Sequence, residues 1–118
     1  MVPVLFLALA LARPPGAYAV VGARHVPLTI SSWCWGARCS APIARAQRVI
    51  TVQRGAAVRV HLRFVPTGVA LSVGGTRVDW RLNGTDVTWK ATHAGGLSLT
   101  ATGVRGFVTY VGRIAYPS

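Results

Sequence analysis

The chain has 118 residues, of which 13 are Lys or Arg and two are Asp or Glu, so its formal net charge is +11. This length suits one domain built around one hydrophobic core. The two acids are Asp79 and Asp86, so the chain is poorly supplied with the paired carboxylates that glycosidases use. The excess of positive charge favours anionic partners.

The first element predicted from the sequence is a secretory signal peptide. Residues 2–12 form an apolar run, residues 13–16 would break a helix, and Ala17, Tyr18 and Ala19 form a small-x-small cleavage box. Eleven helical residues rise about 17 Å against about 30 Å of bilayer hydrocarbon, so no membrane anchor is predicted. We therefore expect a signal peptide over residues 1–19, cleavage after Ala19, and a secreted, extracellular domain over residues 20–118.

Downstream of this segment the apolar residues recur with a period of two, which indicates β-strands. Over residues 57–64 they alternate with Arg59, His61 and Arg63, so one side of that strand is predicted to be buried and the other exposed. Other strand-like segments are residues 26–32, 49–53, 69–73, 78–82, 87–89, 97–99 and 108–110. This pattern predicts an all-β fold, namely an antiparallel β-sandwich of immunoglobulin-like topology, with a small β-barrel as the alternative.

Pairs of small residues predict the turns between these strands. The Asn-Gly pair at 83–84 favours a two-residue type I′ hairpin loop. That loop sets Arg81 opposite Asp86 on the polar face and Val78 opposite Trp89 on the apolar face. The agreement between turn chemistry and side-chain alternation supports a hairpin at this position.

Two further glycine pairs predict two more hairpins. The pair at 74–75 places Val73 opposite Thr76. Near the second pair, a three-residue loop over residues 94–96 keeps Leu97 on the buried side. A two-residue loop there would move it to the exposed side, because a one-residue slip inverts every side chain of a strand.

Two cysteines, Cys34 and Cys39, lie five positions apart near the start of the predicted domain. Outside the cytoplasm a close, even pair indicates a disulfide, and four intervening residues with a Gly suit a hairpin loop. A redox couple would favour the shorter C-x-x-C spacing, and a zinc site would need a second pair of Cys or His ligands. We predict a local structural disulfide, and neither a metal site nor a cofactor.

The residues around the cysteines also carry a family resemblance. Trp33, Cys34 and Trp35, followed by Gly36, Cys39 and Pro42, resemble the aromatic-Cys-Trp, Gly, Cys, Pro motif of small secreted or lipid-anchored bacterial β-sandwich proteins. In that motif an Asp follows the second Cys, where this chain has Ser40. The resemblance implies a secreted β-sandwich and no particular activity, because none is established for such proteins.

Basic side chains supply the candidate binding surface. Arg59 and Arg63 lie on one strand face, and Arg77 and Arg81 lie with Lys90 on the polar face of the next hairpin. If both faces belong to one sheet, they would attract an anionic wall polymer, an anionic lipid or another surface protein. Aromatic residues are not interleaved with these bases, so specific nucleic-acid recognition is not predicted. The alternative is compositional, because Arg-rich, Ala-rich and Gly-rich chains also arise from GC-rich coding sequences.

Catalytic groups are sparse. The three histidines, His25, His61 and His93, have no acid adjacent in sequence, so no nucleophilic triad is predicted. The expected function is therefore that of a secreted, basic, non-enzymatic β-sandwich domain that acts as a binding or structural module at the cell surface. The alternative is a small secreted enzyme or metal carrier whose site forms only on folding.

Overall fold

The computed structural model describes residues 13–40 and 47–117. Within these residues the chain forms twelve β-strands, and no helix is long and apolar enough to cross a membrane. The strands are β1 (Tyr18–Val21), β2 (Arg24–Pro27), β3 (Thr29–Trp35), β4 (Arg38–Ser40), β5 (Val49–Thr51), β6 (Ala57–His61), β7 (Gly68–Val73), β8 (Thr76–Arg77), β9 (Arg81–Asn83), β10 (Asp86–Lys90), β11 (Gly95–Gly103) and β12 (Gly106–Ala115). The apolar run over residues 2–12 and Pro42 of the cysteine motif lie outside the described residues.

The strands form two sheets that pack as a sandwich. The first sheet has the order β2-β1-β6-β10-β9, and all its pairings are antiparallel. The second has the order β4-β3-β12-β11-β7-β8, also antiparallel, and β5 joins it by pairing parallel to β12. The prediction of an all-β sandwich is confirmed. The alternative of a small barrel is wrong, because the described strands form two separate sheets rather than one closed one.

Alternation along the strands places the core between the sheets. In β6, Val58 and Val60 are fully buried while Arg59 is exposed, as the period of two predicts. The largest fully buried side chains are Tyr110, Ile50, Leu62, Leu97, Leu99 and Ile114. Burial of one such aliphatic side chain contributes about 1.5–3 kcal/mol, so this layer is the main source of stability.

Of the predicted turns, the one at 74–75 is confirmed. Val73 lies opposite Thr76, and Gly74 and Gly75 have φ values of 60° and 79°. A type I′ turn requires positive φ at both central positions, which glycine adopts without steric cost.

The predicted register at the Asn-Gly pair is wrong by two residues. The loop consists of Gly84 and Thr85, so Asp86 lies opposite Asn83 and not opposite Arg81. Gly84 has a φ of 63°, and among the described residues only glycines have positive φ. This combination matches a type II′ turn, which needs one such residue instead of two. Because the shift is by two, each side chain keeps its predicted face.

Two predicted hairpin segments instead cross between the sheets. The predicted strand over residues 78–82 is divided, since Arg77 ends in the second sheet and Arg81 begins in the first. The predicted hairpin loop at 94–96 is also wrong, because β10 and β11 belong to different sheets. A strand has two edges for pairing, and those of β10 are taken by β6 and β9. The next strand therefore joins the opposite sheet.

The described domain also starts earlier in the chain than predicted. Strand β1 contains the bond between Ala19 and Val20, which is the predicted cleavage position. Residues on both sides of this bond pair with β6 and with β2. The fold therefore includes residues upstream of the predicted boundary at residue 20.

The predicted disulfide is confirmed. Cys34 in β3 lies directly opposite Cys39 in β4, and the two sulfurs are bonded. The loop between these strands contains Gly36 with a φ of 62°, which explains the Gly between the cysteines. The bond is a local clip on one hairpin, and it is consistent with an extracellular location.

We expect Cys34→Ser to lower the free energy of unfolding by about 2 kcal/mol, because a loop of about six residues loses little chain entropy on closure. Urea denaturation of the variant and of the reduced parent should give the same midpoint. Thiol titration of the unreduced, unfolded parent should detect no reactive thiol. Two reactive thiols in that sample would contradict the assignment.

Candidate functional site

The structure brings two of the predicted arginines together on the first sheet. Arg59 of β6 lies opposite Thr88 of β10, and Thr88 lies opposite Arg81 of β9. These residues alternate with buried neighbours, so all three share the outer face of the sheet. Arg59 and Arg81 are two strand spacings apart, which is about 10 Å.

The other two predicted arginines lie elsewhere. Arg77 belongs to β8 in the second sheet, so the predicted four-arginine face on one sheet is not formed. Arg63 follows the end of β6 near the Gly84 turn, where the Leu62 N–H donates to the carbonyl of Thr85 at 2.9 Å. Arg63 is therefore at the opposite end of β10 from Lys90, a separation of about 13 Å along the strand.

Arg77 and Arg81 nevertheless meet at a cleft of about 550 Å³. We call it the edge cleft, because it opens at the β9 edge of the first sheet where the chain crosses to the second. Its lining includes Arg77, Asp79, Trp80, Arg81, Trp89 and Lys90. A volume of this size lies within the range of small-ligand sites.

The edge cleft exists because β9 is shorter than its neighbour. Strand β10 pairs with β6 as far as Lys90, but it pairs with β9 only as far as Thr88. The chain leaves the sheet at Trp80, before it would lie opposite Trp89. The last two residues of β10 therefore line an opening instead of facing a strand. The sequence-predicted register, with Val78 opposite Trp89, would have closed this opening.

The charge in the edge cleft is predominantly positive. Arg77, Arg81 and Lys90 are exposed, and Asp79 is the one carboxylate among the lining residues. The single ion pair in the described part of the chain lies elsewhere, between His61 and Asp86. The three cationic side chains are thus free to contact an anion.

Two tryptophans give the edge cleft an aromatic lining. Trp80 is 37% exposed, whereas Trp89 is 3% exposed and belongs to the core. The buried indole N–H of Trp89 has no hydrogen-bond partner among the described residues. A buried donor without a partner costs about 1–3 kcal/mol, so an acceptor that reached it would stabilise the bound state. The sequence gives no sign of this orphaned donor, because it depends on where β9 ends.

Sequence analysis also missed a histidine–carboxylate pair on the outer face of the first sheet. The Nδ1 of His61 lies 2.8 Å from Oδ1 of Asp86, and these residues are cross-strand partners in β6 and β10. The ring of Tyr18 lies between two histidines, with ring centroids 4.9 Å from His25 and 5.2 Å from His61. The carboxylate orients the imidazole, but in the described part of the chain no hydroxyl or thiol is hydrogen-bonded to that ring.

Comparison with known proteins adds no family. No protein-family model, curated protein sequence or solved structure matches this chain. Over residues 13–40 and 47–117, no three His, Cys, Asp or Glu side chains cluster closely enough to hold a metal ion. The functional argument therefore depends on the edge cleft.

Proposed function

We propose that the protein is a secreted, basic, non-enzymatic β-sandwich domain that binds an anionic cell-wall polymer through the edge cleft. One observation carries the proposal: a concave site combines three cationic side chains that form no ion pair with an exposed tryptophan ring and a buried, unpartnered indole N–H. Together these groups favour a ligand that has negative charge, a carbon skeleton and hydrogen-bond acceptors.

The cationic groups supply most of the expected affinity. Arg77 and Arg81 each present a guanidinium that can donate two parallel hydrogen bonds to one phosphate or carboxylate, and Lys90 adds a point charge. Neutralising several anionic groups of a polymer releases its counterions, so binding is expected to weaken steeply with salt. Arg59, about 10 Å from Arg81 on the same face, extends the positive surface along the polymer.

The shape of the site favours a polymer over a membrane. A bilayer presents a broad plane of headgroups, whereas the edge cleft is a concave opening that accommodates one repeating unit at a time. The Trp80 ring offers an apolar surface for the carbon skeleton of that unit. The Trp89 N–H supplies a donor for one of its oxygens.

We expect Arg77→Gln combined with Arg81→Gln to weaken binding to poly(glycerol phosphate) teichoic acid at least tenfold, because each lost charge-assisted hydrogen bond costs about 1.5–3 kcal/mol. Isothermal titration at about 50 mM and 200 mM salt should also show a smaller salt dependence, by up to about one unit of slope per lost contact. Both arginines are exposed, so thermal stability should not change.

The matched control is Arg63→Gln combined with Arg105→Gln. It removes the same charge at two exposed positions away from the edge cleft, Arg105 being at the far end of β11, about 26 Å along that strand. We expect it to change the affinity less than threefold. Equal losses in the two double variants would show that only net charge matters. Binding to phosphatidylglycerol vesicles but not to teichoic acid would assign a lipid partner and overturn the proposal.

A further inference from the structure

The residues just before the predicted cleavage position are part of the sandwich. Strand β1 lies in the interior of the first sheet, between β2 and β6. Tyr18 pairs with His61 and with Pro27, and Ala19 pairs with Val60 and with Val26. Cleavage after Ala19 would remove half of an interior strand.

Burial supports the same conclusion. Ala17 is 5% exposed and Ala19 is completely buried, and both belong to the hydrophobic core. Their small size fits these positions as well as it fits a cleavage box, so the box at residues 17–19 has a structural explanation. A protease would have to extract this segment from the sheet in order to reach the bond.

Hydrogen bonds tie the preceding residues to both sheets. The hydroxyl of Tyr110, a fully buried residue of β12, donates to the carbonyl of Pro15 at 2.7 Å. The Leu28 N–H donates to the carbonyl of Ala17 at 2.9 Å. Removal of residues 13–19 would leave the Tyr110 hydroxyl and the Leu28 N–H without these acceptors. Buried donors in native proteins are almost always satisfied, so this segment belongs to the mature domain.

A second small-x-small box lies immediately upstream. Ala10, Leu11 and Ala12 follow an apolar stretch over residues 2–9, whose length suits the h-region of a secretory signal. The next residue, Arg13, is exposed and is the first residue of the described structure. We infer that the signal is cleaved after Ala12 and that the mature chain begins at Arg13. This inference shares with the proposed function only the premise of secretion and does not depend on the ligand.

The processing site can be read directly from the secreted protein. The full chain is expressed in a secreting bacterial host, and the N-terminus of the product is determined by intact mass and N-terminal sequencing. We expect it to begin at Arg13. A product that begins at Val20, or one that keeps Met1, would overturn the inference. Teichoic acid binding by the purified domain is measured separately, so failure of one proposal is distinguishable from failure of the other.

A variant and a pair of truncated chains complete the test. Ala12→Leu places a large residue at the box and should abolish production of the Arg13 product, whereas unchanged processing would contradict the assignment. In parallel, purified chains that begin at Arg13 and at Val20 are compared by thermal denaturation. We expect the shorter chain to melt more than about 10 °C lower, since it loses half of β1 and two buried hydrogen bonds. Equal melting temperatures would show that residues 13–19 are dispensable.

Discussion

Replacing Gly106 with Ala should cause the largest loss of stability of any single substitution considered for this domain. Gly106 begins β12 opposite Trp35 of β3, and its φ is 143°. A Cβ at this position would lie 1.9 Å from the carbonyl oxygen of Cys34 and 2.8 Å from its carbonyl carbon. Both are backbone atoms, so no side-chain rotation relieves the clash, and the strand pair must separate locally. We expect the free energy of unfolding to fall by about 4 kcal/mol or more.

Urea denaturation followed by tryptophan fluorescence measures this effect. The control is Gly84→Ala, since Gly84 also has positive φ, at 63°, but no described atom lies within 4 Å of the point that its added methyl group would occupy. That variant should lose only about 1–2 kcal/mol, the cost of a left-handed backbone for an L-residue. A Gly106 variant no less stable than the Gly84 variant would show that β3 and β12 are not packed as described.

Local patterns were sufficient to predict much of the sandwich. The alternation around Arg59 identifies the buried face of β6, and the positive φ values of Gly74 and Gly75 follow from their place in a two-residue loop. The Cys34–Cys39 bond also follows from local spacing. Each of these predictions concerns residues close together in the chain, where backbone stereochemistry restricts the choices.

The edge cleft was not predictable for the same reason. An error of two residues at Asn83 leaves every side chain on its predicted face, so alternation along the strand does not reveal it. Whether the chain continues past Trp80 in one sheet or crosses to the other depends on which edge is free. The orphaned N–H of Trp89 and the meeting of Arg77 with Arg81 both follow from that crossing.

The N-terminal strand shows how one sequence pattern can serve two purposes. Small residues at 17 and 19 resemble a cleavage box, and they also fit an interior strand packed against the core. Sequence alone does not contain the contact that distinguishes the two, which is the hydrogen bond from Tyr110 to Pro15, made across 95 positions of the chain. A substitution at Tyr110 therefore tests the N-terminal packing directly.

We expect Tyr110→Phe to lower the free energy of unfolding by about 1–2 kcal/mol at pH 7, because it removes that hydrogen bond and leaves the Pro15 carbonyl without its donor. The ring keeps its place in the core, so the fold should be retained. Urea denaturation gives the size of the effect. A variant as stable as the parent would show that residue 15 is not held against β12.

The same substitution should change how stability depends on alkaline pH. Burial raises the pKa of the Tyr110 phenol well above its ordinary value of 10.0. Above pH 10 the unfolded chain therefore loses a proton that the folded chain keeps, and the parent loses about 1.4 kcal/mol of stability per pH unit until the folded pKa is reached. Below pH 10 this group contributes no pH dependence. Tyr110→Phe lacks this titration, so urea denaturation between about pH 9 and pH 12 should show its deficit relative to the parent shrinking and then reversing. Parallel declines of parent and variant over that range would show that the phenol is accessible to water.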